Sequence, residues 1–411
     1  METDGKNRRR SKSGRPVDFS DGMTESLEVS ILRREAYPLN DEWTGLGCRL
    51  YMTAMFQNSG IPLSVQRAYD LTILRATVVS GGFSGVAVFR ATTSDGRELA
   101  IRRIPKSVSL PSERMRRLHE LLRHVSHSGC RLIPVPLTPA TAGTQIHHGA
   151  NPSVVPWLPE EDCFWQIEPW MPGSSLAGHK LTTPHLQAAL IALNQFHQLA
   201  TEAVRIIGSD DWFLHATRPS PAVQRRLRIV DELQAGLLKK LQHRLRIDPD
   251  ERFRRLAVHV CDALTTWLPW LQRELRSLEM IEFPIQPVLR DLWRSHVLFT
   301  DLEVTGLIDL SAAASDHVTV DLTRLFRSWF GSDVSCVQNA VAEYQLLRIL
   351  NGPERRLFQA LDASTVLLSP VTWLRRRMES GDASNCPDDV NARLSELTDV
   401  VSSFRPLILT T

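Results

Sequence analysis

After its amino-terminal segment, the chain carries short apolar runs separated by turn signals, a pattern that predicts β-strands. A glycine-rich turn at residues 80–85 separates two of these runs, and Asp95-Gly96 marks a second tight turn. Residues 111–126 instead place apolar side chains along one side of a helix. The predicted strands lie at residues 73–79, 86–91, 99–104 and 163–170, with a further extended stretch at residues 132–136.

The later part of the chain is predicted to be mainly helical, because apolar residues recur there every three or four positions. Pro172-Gly173 ends the strand-rich region and indicates a hinge. Two short strands interrupt the helices within residues 284–310. This order predicts an α+β fold with a β-rich lobe over residues 25–170, including a preceding helical segment, and a helical lobe over residues 171–411. The predicted helices cover residues 184–203, 221–245 and 253–278, and helices return from residue 321.

The composition is that of an ordinary globular protein, with 43% hydrophobic and 23% charged residues and a formal net charge of +2. This balance favours neither a nucleic-acid nor a membrane partner, and no apolar run is long enough to span a bilayer. Residues 1–24 are polar and basic and lack the apolar segment of an export signal, which predicts a disordered tail. The six cysteines form no C-x-x-C pair, so we expect reduced thiols and a cytoplasmic protein.

The most informative chemistry lies in a predicted hairpin between residues 288 and 309, where strand-like runs flank a turn at residues 301–303. An antiparallel hairpin brings its open ends together, so Asp291 before the first strand should lie beside Asp309 after the second. Such a pair suits phosphoryl transfer, since one carboxylate can accept a hydroxyl proton while the other holds Mg²⁺. His296 stands five residues after Asp291, where a second metal ligand is common. The alternative is a surface hairpin whose aspartates serve only its turns.

The glycine-rich turn can bring backbone N–H groups to phosphate oxygens, because glycine permits a close approach of the backbone. Alternation places Arg102 and Arg103 on opposite faces of the third predicted strand, and we predict that Arg102 faces the nucleotide. Glu113 and Glu120, on the following helix, are both candidates for an acid that pairs with Arg102. A plain hairpin turn and solvated arginines are the alternative. The predicted phosphate-binding residues of the turn are Gly82, Phe83, Ser84 and Gly85.

These motifs resemble the aminoglycoside phosphotransferase and choline kinase group of enzymes, over a region from about residue 73 to about residue 330. The members of that group have a two-lobed protein-kinase-like fold. Their H-G-D-x-x-x-x-N-[VI]-L-F, I-D-F, G-G-x-S-[NG] and D-L-x-R motifs are matched at residues 289–299, 308–310, 81–85 and 321–324.

The resemblance implies an ATP-dependent kinase that acts on a hydroxyl of a small molecule. It implies that Asp291 is the catalytic base and that Asp309 is the ligand of Mg²⁺. Mn²⁺ is a second possible ion because of His296, which departs from the family motif. The resemblance also implies that the hinge containing Glu168 and Trp170 meets adenine through its backbone. Asp321 is expected to brace local structure rather than to act in catalysis.

Three residues depart from the family motif. Leu289 and Arg290 replace its His-Gly, and His296 replaces its metal-binding Asn. Imidazole is a poorer Mg²⁺ ligand than an amide oxygen, so a softer ion, an empty second metal site and a protein without catalysis are all consistent with His296. A kinase-fold binding or regulatory protein is therefore the alternative function. A protein kinase is disfavoured because D-F-G and A-P-E are missing after the hairpin.

The acceptor is not identified by the sequence, and neither is the oligomeric state. A shared fold does not fix a substrate. One hypothesis is a cationic acceptor held by acidic and aromatic side chains. The candidate side chains are Asp210, Asp211, Trp212, Trp157, Glu160 and Glu161. The alternative is that these six residues belong only to surface loops.

Overall fold

An antiparallel sheet of five strands forms the amino-terminal part of the fold. In this computed structural model, which describes residues 60–79, 85–140, 157–158, 163–380 and 388–409, its strands follow the order β1-β2-β3-β5-β4. The predicted strands at 73–79, 86–91, 99–104 and 163–170 are confirmed, whereas residues 132–136 form no strand. The strands are β1 (Ile73–Val79), β2 (Ala87–Thr93), β3 (Glu98–Pro105), β4 (Trp157–Leu158) and β5 (Cys163–Pro169).

Two helices accompany this sheet and bury different faces. Helix α1 (Leu63–Ala68) belongs to an apolar cluster with one face of the sheet, which includes the fully buried Ile101 and Ile167. Helix α2 (Ser112–His127) confirms the predicted helix at 111–126. Its apolar side joins a larger core cluster that it shares with the later helices. Helix α2 therefore connects the sheet to the helical part of the protein.

The rest of the described chain is mainly helical, as predicted. The expected single helix over residues 221–245 is wrong, because Leu233–Leu237 forms a π-helical turn in which Gly236 has φ 127°. A residue without a Cβ adopts this angle readily, so the helix breaks there into two. The helices are α3 (Thr183–Ile207), α4 (Pro221–Glu232), α5 (Leu238–Leu245), α6 (Glu251–Arg276), α7 (Thr319–Phe330), α8 (Val334–Gln345), α9 (Gly352–Ser380) and α10 (Asp388–Ser402).

Two small sheets interrupt the helices. The predicted hairpin is confirmed, since β9 (Val297–Thr300) pairs antiparallel with β10 (Glu303–Leu307). A short strand β6 (Ser174–Ser175) adds to the outer edge of β9. The other small sheet contains β7 (Ala216–Pro219), β8 (Glu282–Val288) and β11 (Ala314–Asp316), with β8 in the middle.

The hinge predicted at Pro172-Gly173 packs closely on the hairpin. Gly173 has φ 92°, and a Cβ placed there would overlap Thr305 and the backbone of Phe299. Thr305 Oγ1 also donates to the carbonyl oxygen of Pro172 at 2.7 Å. The segment that leaves the amino-terminal sheet is thus fixed to the hairpin that carries the predicted site. Among the described residues, no helix has the length and apolarity to cross a bilayer.

Candidate active site

The loop that carries Asp291 leaves strand β8 in a backbone conformation that few residues adopt. Arg290 has φ 64°, which is uncommon for a residue other than glycine. The carboxylate of Asp321 holds this conformation by accepting hydrogen bonds from the N–H groups of Leu289 and Arg290, at 2.8 and 2.6 Å. Asp321 is fully buried and its Oδ2 also lies 2.9 Å from His197 Nε2. The expected bracing role of Asp321 is confirmed.

The carboxylate of Asp291 is oriented by two donors on the same oxygen. Trp293 Nε1 donates to Asp291 Oδ1 at 2.8 Å, and Arg324 Nη2 forms an ion pair with the same atom. Among the described residues, none donates a hydrogen bond to Asp291 Oδ2. The side chain of Asp291 is 39% exposed. One oxygen is therefore fixed by the protein while the other can meet a ligand.

Asp309 follows strand β10 in the left-handed region, with φ 60° and ψ 57°, a conformation that aspartate tolerates better than most residues. Its Oδ1 lies 3.1 Å from Arg102 Nη1, and its Oδ2 lies 3.7 Å from His296 Nε2. His296 Nδ1 lies 2.8 Å from the carbonyl oxygen of Asp291. His296 thus links the two aspartates that the sequence predicts at the open end of the hairpin.

Arg102 pairs with an acid from the neighbouring strand, and neither Glu113 nor Glu120 is its partner. Arg102 Nε donates to Glu168 Oε1 at 2.9 Å, because antiparallel pairing of β3 with β5 puts the two side chains diagonally on one face. The charge of Glu168 raises the pKa of Arg102, against the opposite effect of burial. Arg116 binds both Glu113 and Glu120, one helical turn away.

A cavity of about 260 Å³ lies between the sheet, helix α2 and the hairpin. Its polar lining includes Arg102, Glu168, Asp291 and Asp309. Much of the remaining lining is apolar and comes from strands β2 and β3 and from helix α2. A mostly apolar cavity with a few convergent charged groups is typical of a small-ligand site.

The other predicted nucleotide-binding residues are only partly placed. Gly82, Phe83 and Ser84 lie outside the described residues, and Gly85 has φ 75° with open space around it. Trp170 is not part of the cavity lining. The backbone N–H of Trp170 donates to the carbonyl oxygen of Glu98 at 3.0 Å. The guanidinium of Arg90 lies over its indole ring, 4.9 Å from the ring centroid.

The residues around the hairpin fit a divalent ion only in part. A carbonyl oxygen can only accept, so His296 Nδ1 carries a proton, and in the neutral ring Nε2 would present its lone pair towards Asp309. This tautomer is the one found in histidines that bind metal. No cluster of three or more His, Cys, Asp or Glu side chains arranged for a metal is present in the described ranges. Asp309 and His296 can therefore supply two ligands, and further ligands must come from phosphate or water.

Three contacts of the site were not predicted from the sequence, although Arg324 had been matched as part of the D-L-x-R motif. Trp293 and Arg324 both contact Asp291, and His197 supports Asp321. The D-L-x-R spacing carried a signal for Arg324, since one helical turn after Asp321 places it on the same side of helix α7. The other two contacts join residues that are distant in the chain or adjacent in a loop, which a motif alone does not reveal.

Asp210, suggested above as a contact for a cationic acceptor, is already satisfied by the protein. It forms an ion pair with Arg117 and accepts hydrogen bonds from the N–H groups of Trp212 and Phe213 at 2.8 and 2.6 Å. Its carboxylate therefore stabilises a turn. Glu160 and Glu161 lie outside the described residues.

The family model described as "Phosphotransferase enzyme family" (APH) matches residues 75–358. None of the curated proteins matches the chain. Aminoglycoside phosphotransferase from Alicyclobacillus acidocaldarius subsp. acidocaldarius is a similar solved structure, with a TM-score of 0.53, 17% identity and coverage of 84% of this chain and 92% of that chain.

Two further solved structures have a similar fold. Spectinomycin phosphotransferase APH(9)-Ia, in complex with ADP and spectinomycin, gives a TM-score of 0.56 at 13% identity, covering 82% of this chain and 95% of that chain. Amicoumacin kinase hAmiN, in complex with AMP-PNP, Ca²⁺ and Ami, gives a TM-score of 0.55 at 11% identity, covering 87% of this chain and 97% of that chain. These likenesses confirm the predicted two-lobed, protein-kinase-like α+β fold. Because the family model spans more than half of the sequence, the chain belongs to the phosphotransferase enzyme family.

Proposed function

We propose that the protein is an ATP-dependent phosphotransferase that acts on a hydroxyl of a small molecule, with Asp291 as the base and Asp309 as the Mg²⁺ ligand. The observation that carries this proposal is the link through His296, which contacts the backbone of Asp291 and lies 3.7 Å from the carboxylate of Asp309. Both aspartates line one cavity together with Arg102. Membership of the phosphotransferase family supports the same reaction class.

Asp291 is suited to receive the acceptor hydroxyl. Trp293 and Arg324 both engage Oδ1, so the carboxylate plane is fixed and Oδ2 faces a hydroxyl without competition from those two groups. A carboxylate in this place orients the hydroxyl and takes its proton as the oxygen attacks phosphorus. Positioning of this kind supplies much of the rate enhancement in phosphoryl transfer.

The nucleotide is assigned to the cavity beside Arg102. In this proposal, Arg102 and the turn of Gly82, Phe83, Ser84 and Gly85 bind the phosphates, and the strand containing Glu168, with Trp170 after it, meets adenine. Glu168 holds the guanidinium of Arg102 through Nε, and Nη1 of the same group is directed towards Asp309. Asp309 and His296 would hold the divalent ion, Mg²⁺ or Mn²⁺. The bound ion would neutralise negative charge on the phosphates.

The alternative function is a kinase-fold protein that binds nucleotide or a partner without phosphoryl transfer. Leu289, Arg290 and His296 motivate it, because they replace the family's usual residues. Two observations favour an active site instead. The side chain of Leu289 is buried in the main core cluster, and the N–H of Arg290 is used to set the loop through Asp321.

The first experiment measures the melting temperature with ATP alone, with ATP plus Mg²⁺ and with ATP plus Mn²⁺, in the wild type and in Asp309→Ala. A ligand at a hundredfold excess over its Kd stabilises the folded state by about 2.7 kcal/mol. We expect a metal-dependent increase that Asp309→Ala removes. Asp301→Asn is the matched control, since Asp301 is an exposed residue in the turn of the same hairpin.

Turnover is then measured as release of radiolabelled phosphate from ATP, with and without candidate hydroxyl acceptors. We expect Asp291→Asn to bind ATP normally and to lose turnover by about 10² to 10⁴-fold. Nucleotide binding without turnover in the wild type would favour the alternative function. No melting shift with any nucleotide and metal, in a protein that unfolds cooperatively, would reject the kinase.

A further inference from the structure

A group of arginine side chains lies around the loop that carries Asp291, and it is not explained by ATP binding. These arginines come from helices α2, α4 and α7 and from the loop itself. The repulsion between them is evident in their electrostatics, because Arg225 and Arg114 lower the pKa of Arg290, and Arg225, Arg324 and Arg290 lower that of Arg226, in both cases after the larger effect of burial. We call Arg114, Arg225, Arg226, Arg290 and Arg324 the arginine cluster.

The carboxylates near the arginine cluster are too few to balance it. Asp291 pairs with Arg324. Asp316 pairs with Arg225 at 2.7 Å and is fully buried. Asp321 is the third carboxylate, and it is engaged by backbone N–H groups and His197 rather than by a guanidinium. Five guanidinium groups therefore face three carboxylates.

Among the described residues, Arg290, Arg226 and Arg114 lack a carboxylate partner. No side-chain hydrogen bond of Arg290 is present within those ranges. Arg226 makes only two long contacts of 3.5 Å, to the carbonyl oxygen of Ala222 and to Thr365 Oγ1. Burial lowers the pKa of each guanidinium to about 10. Partial burial of a charge without a counterion is unfavourable unless a ligand supplies one.

Two further buried nitrogen atoms in the cluster lack hydrogen-bond partners, namely Arg114 Nε and Arg324 Nε. Arg114 reaches only the carbonyl oxygen of Ala313, at 3.2 Å. Unsatisfied buried donors are rare in folded proteins and often mark a place where a ligand or ordered water binds. The arginine cluster thus combines excess positive charge with free donors, next to the carboxylate that is proposed to receive the acceptor hydroxyl.

We infer that the acceptor carries an anionic group, a carboxylate or a phosphate, which Arg290 and Arg226 bind while Asp291 receives the acceptor's hydroxyl. This inference rests on the proposed function. In the reaction, the hydroxyl oxygen forms a bond to the γ-phosphorus of ATP, the bond from that phosphorus to the β–γ bridging oxygen breaks, ADP leaves, and the hydroxyl proton passes to the carboxylate of Asp291. Guanidinium groups suit such an acceptor because they bind carboxylate and phosphate through paired hydrogen bonds.

A cationic acceptor is disfavoured by the same charges. It would meet the unpaired guanidinium of Arg290 beside Asp291, and the one carboxylate of Asp291 is already paired with Arg324. Asp210, one of the four acids suggested by the sequence for a cation, is bound to Arg117. The acceptor inferred for this chain is therefore negatively charged, in contrast to the cationic acceptor considered from the sequence.

Acceptor charge is tested with four compounds that share one diol scaffold: glycerol, glycerate, glycerol 3-phosphate and 3-amino-1,2-propanediol. ADP formation is measured with each compound at saturating ATP and divalent ion. We expect kcat/KM for glycerate or glycerol 3-phosphate to exceed that for glycerol and for the amine by at least about tenfold. Preference for glycerate or for glycerol 3-phosphate distinguishes a carboxylate from a phosphate. A higher kcat/KM for glycerol or the amine overturns the inference but leaves the proposed kinase intact.

Direct anion binding is measured in parallel, so that the inference is tested even if all four diols are poor acceptors. Calorimetric titrations use inorganic phosphate and citrate, with the nucleotide site filled by AMP-PNP and the divalent ion. We expect Arg290→Gln and Arg226→Gln each to raise the anion Kd by at least about tenfold. Arg228→Gln is the matched control, since Arg228 is an exposed arginine on the same helix as Arg226.

The melting temperatures separate a binding role from a structural one. Because Arg290 and Arg226 lack counterions, neutral glutamine at either position should leave the melting temperature unchanged or raise it. A wild type that binds neither anion, or an Arg290→Gln variant that binds both as tightly as the wild type, overturns the inference. Anion binding in a protein that fails to bind ATP would instead reject the proposed function and leave the anion site standing.

Discussion

The backbone N–H of Arg290 donates a hydrogen bond of 2.6 Å to the buried carboxylate of Asp321. Through this contact helix α7 sets the conformation of the loop that presents Asp291. The same carboxylate binds His197 of helix α3, so two helices and one loop meet at a single buried acid. Arg290 keeps its positive φ because this network compensates for the strain.

We predict that Asp321 is a positioning residue whose loss affects turnover more than nucleotide binding. Asp321→Ala should lower the free energy of unfolding by about 3–5 kcal/mol, since it leaves buried donors without an acceptor. Asp321→Asn keeps one acceptor oxygen and should lower turnover by about 10² while the Kd for ATP changes little. Urea unfolding, ATP titration and steady-state kinetics measure the three quantities.

Asp399→Ala is the control for Asp321, because Asp399 is an exposed residue on helix α10. A role limited to stability would leave kcat of the folded Asp321→Asn variant at the wild-type value. That result would contradict the positioning role.

We predict that Arg102 and Glu168 act as a pair in nucleotide binding. Arg102→Gln should raise the Kd for ATP by about 10- to 100-fold, because it removes a charged donor that is proposed to bind the phosphates. Glu168→Gln should have a smaller effect, since the amide can still accept from Arg102 Nε. The double variant should bind ATP no more weakly than Arg102→Gln alone.

Calorimetric titration of the four proteins with ATP completes this double-mutant cycle, and Arg103→Gln on the same strand serves as the control. Strictly additive losses in the double variant would argue that Glu168 acts independently of Arg102.

We predict that His296 shifts metal preference away from Mg²⁺, because a nitrogen ligand suits softer ions. In the wild type, the melting shift produced by ATP with Mn²⁺ should exceed that produced by ATP with Mg²⁺. His296→Asn should reverse the order, since the Asn amide can donate to the carbonyl of Asp291 and present an oxygen towards Asp309. His215→Asn, at an exposed histidine, is the control. An unchanged ratio of the two shifts in His296→Asn would exclude His296 as a ligand.

We predict that His317 makes stability fall in mildly acidic solution. Its ring is fully buried, its Nε2 lies 2.8 Å from Glu354 Oε1, and the N–H of Thr319 donates to Nδ1. Burial lowers the pKa of His317, against the opposing effect of Glu354. The unfolded chain therefore takes up a proton as the pH drops through about 6.5, while the folded protein does not, and the free energy of unfolding should fall by up to about 1.4 kcal/mol per pH unit.

Urea unfolding between about pH 5 and about pH 7.5 measures this dependence. His317→Gln should make it shallower, whereas His259→Gln, at an exposed position, should not. Glu354 acts in a separate pH range. Burial tends to raise its pKa, but hydrogen bonds from His317 and Asn351 and the charge of Arg348 lower it to about 2. Its contribution is present above about pH 4.5 and is lost as the pH falls towards about 2. Identical pH profiles for the wild type and His317→Gln would contradict the prediction.

Much of the fold was readable because its determinants are local. The strands over residues 73–79 and 297–300 follow from short apolar runs next to turns, and the helix at 111–126 follows from its apolar spacing. Asp291 and Asp309 could be placed together because hairpin geometry relates the two ends of one short segment. The break at Gly236 was not predicted, because the apolar spacing is helical on both sides of it. Only the φ of 127° at Gly236, which is not helical, ends the first helix there.

The sequence by itself determined the two-lobed order of elements, the hairpin and the pair of aspartates, because periodicity and turn chemistry act over a few residues. Only the tertiary structure decided that Arg102 pairs with Glu168, since strand order rather than nearness in sequence makes them neighbours. The arginine cluster likewise joins helices α2, α4 and α7 with the Asp291 loop. Its excess charge is invisible in a chain whose formal net charge is +2, because opposite charges that cancel in the composition are separated in space by the fold.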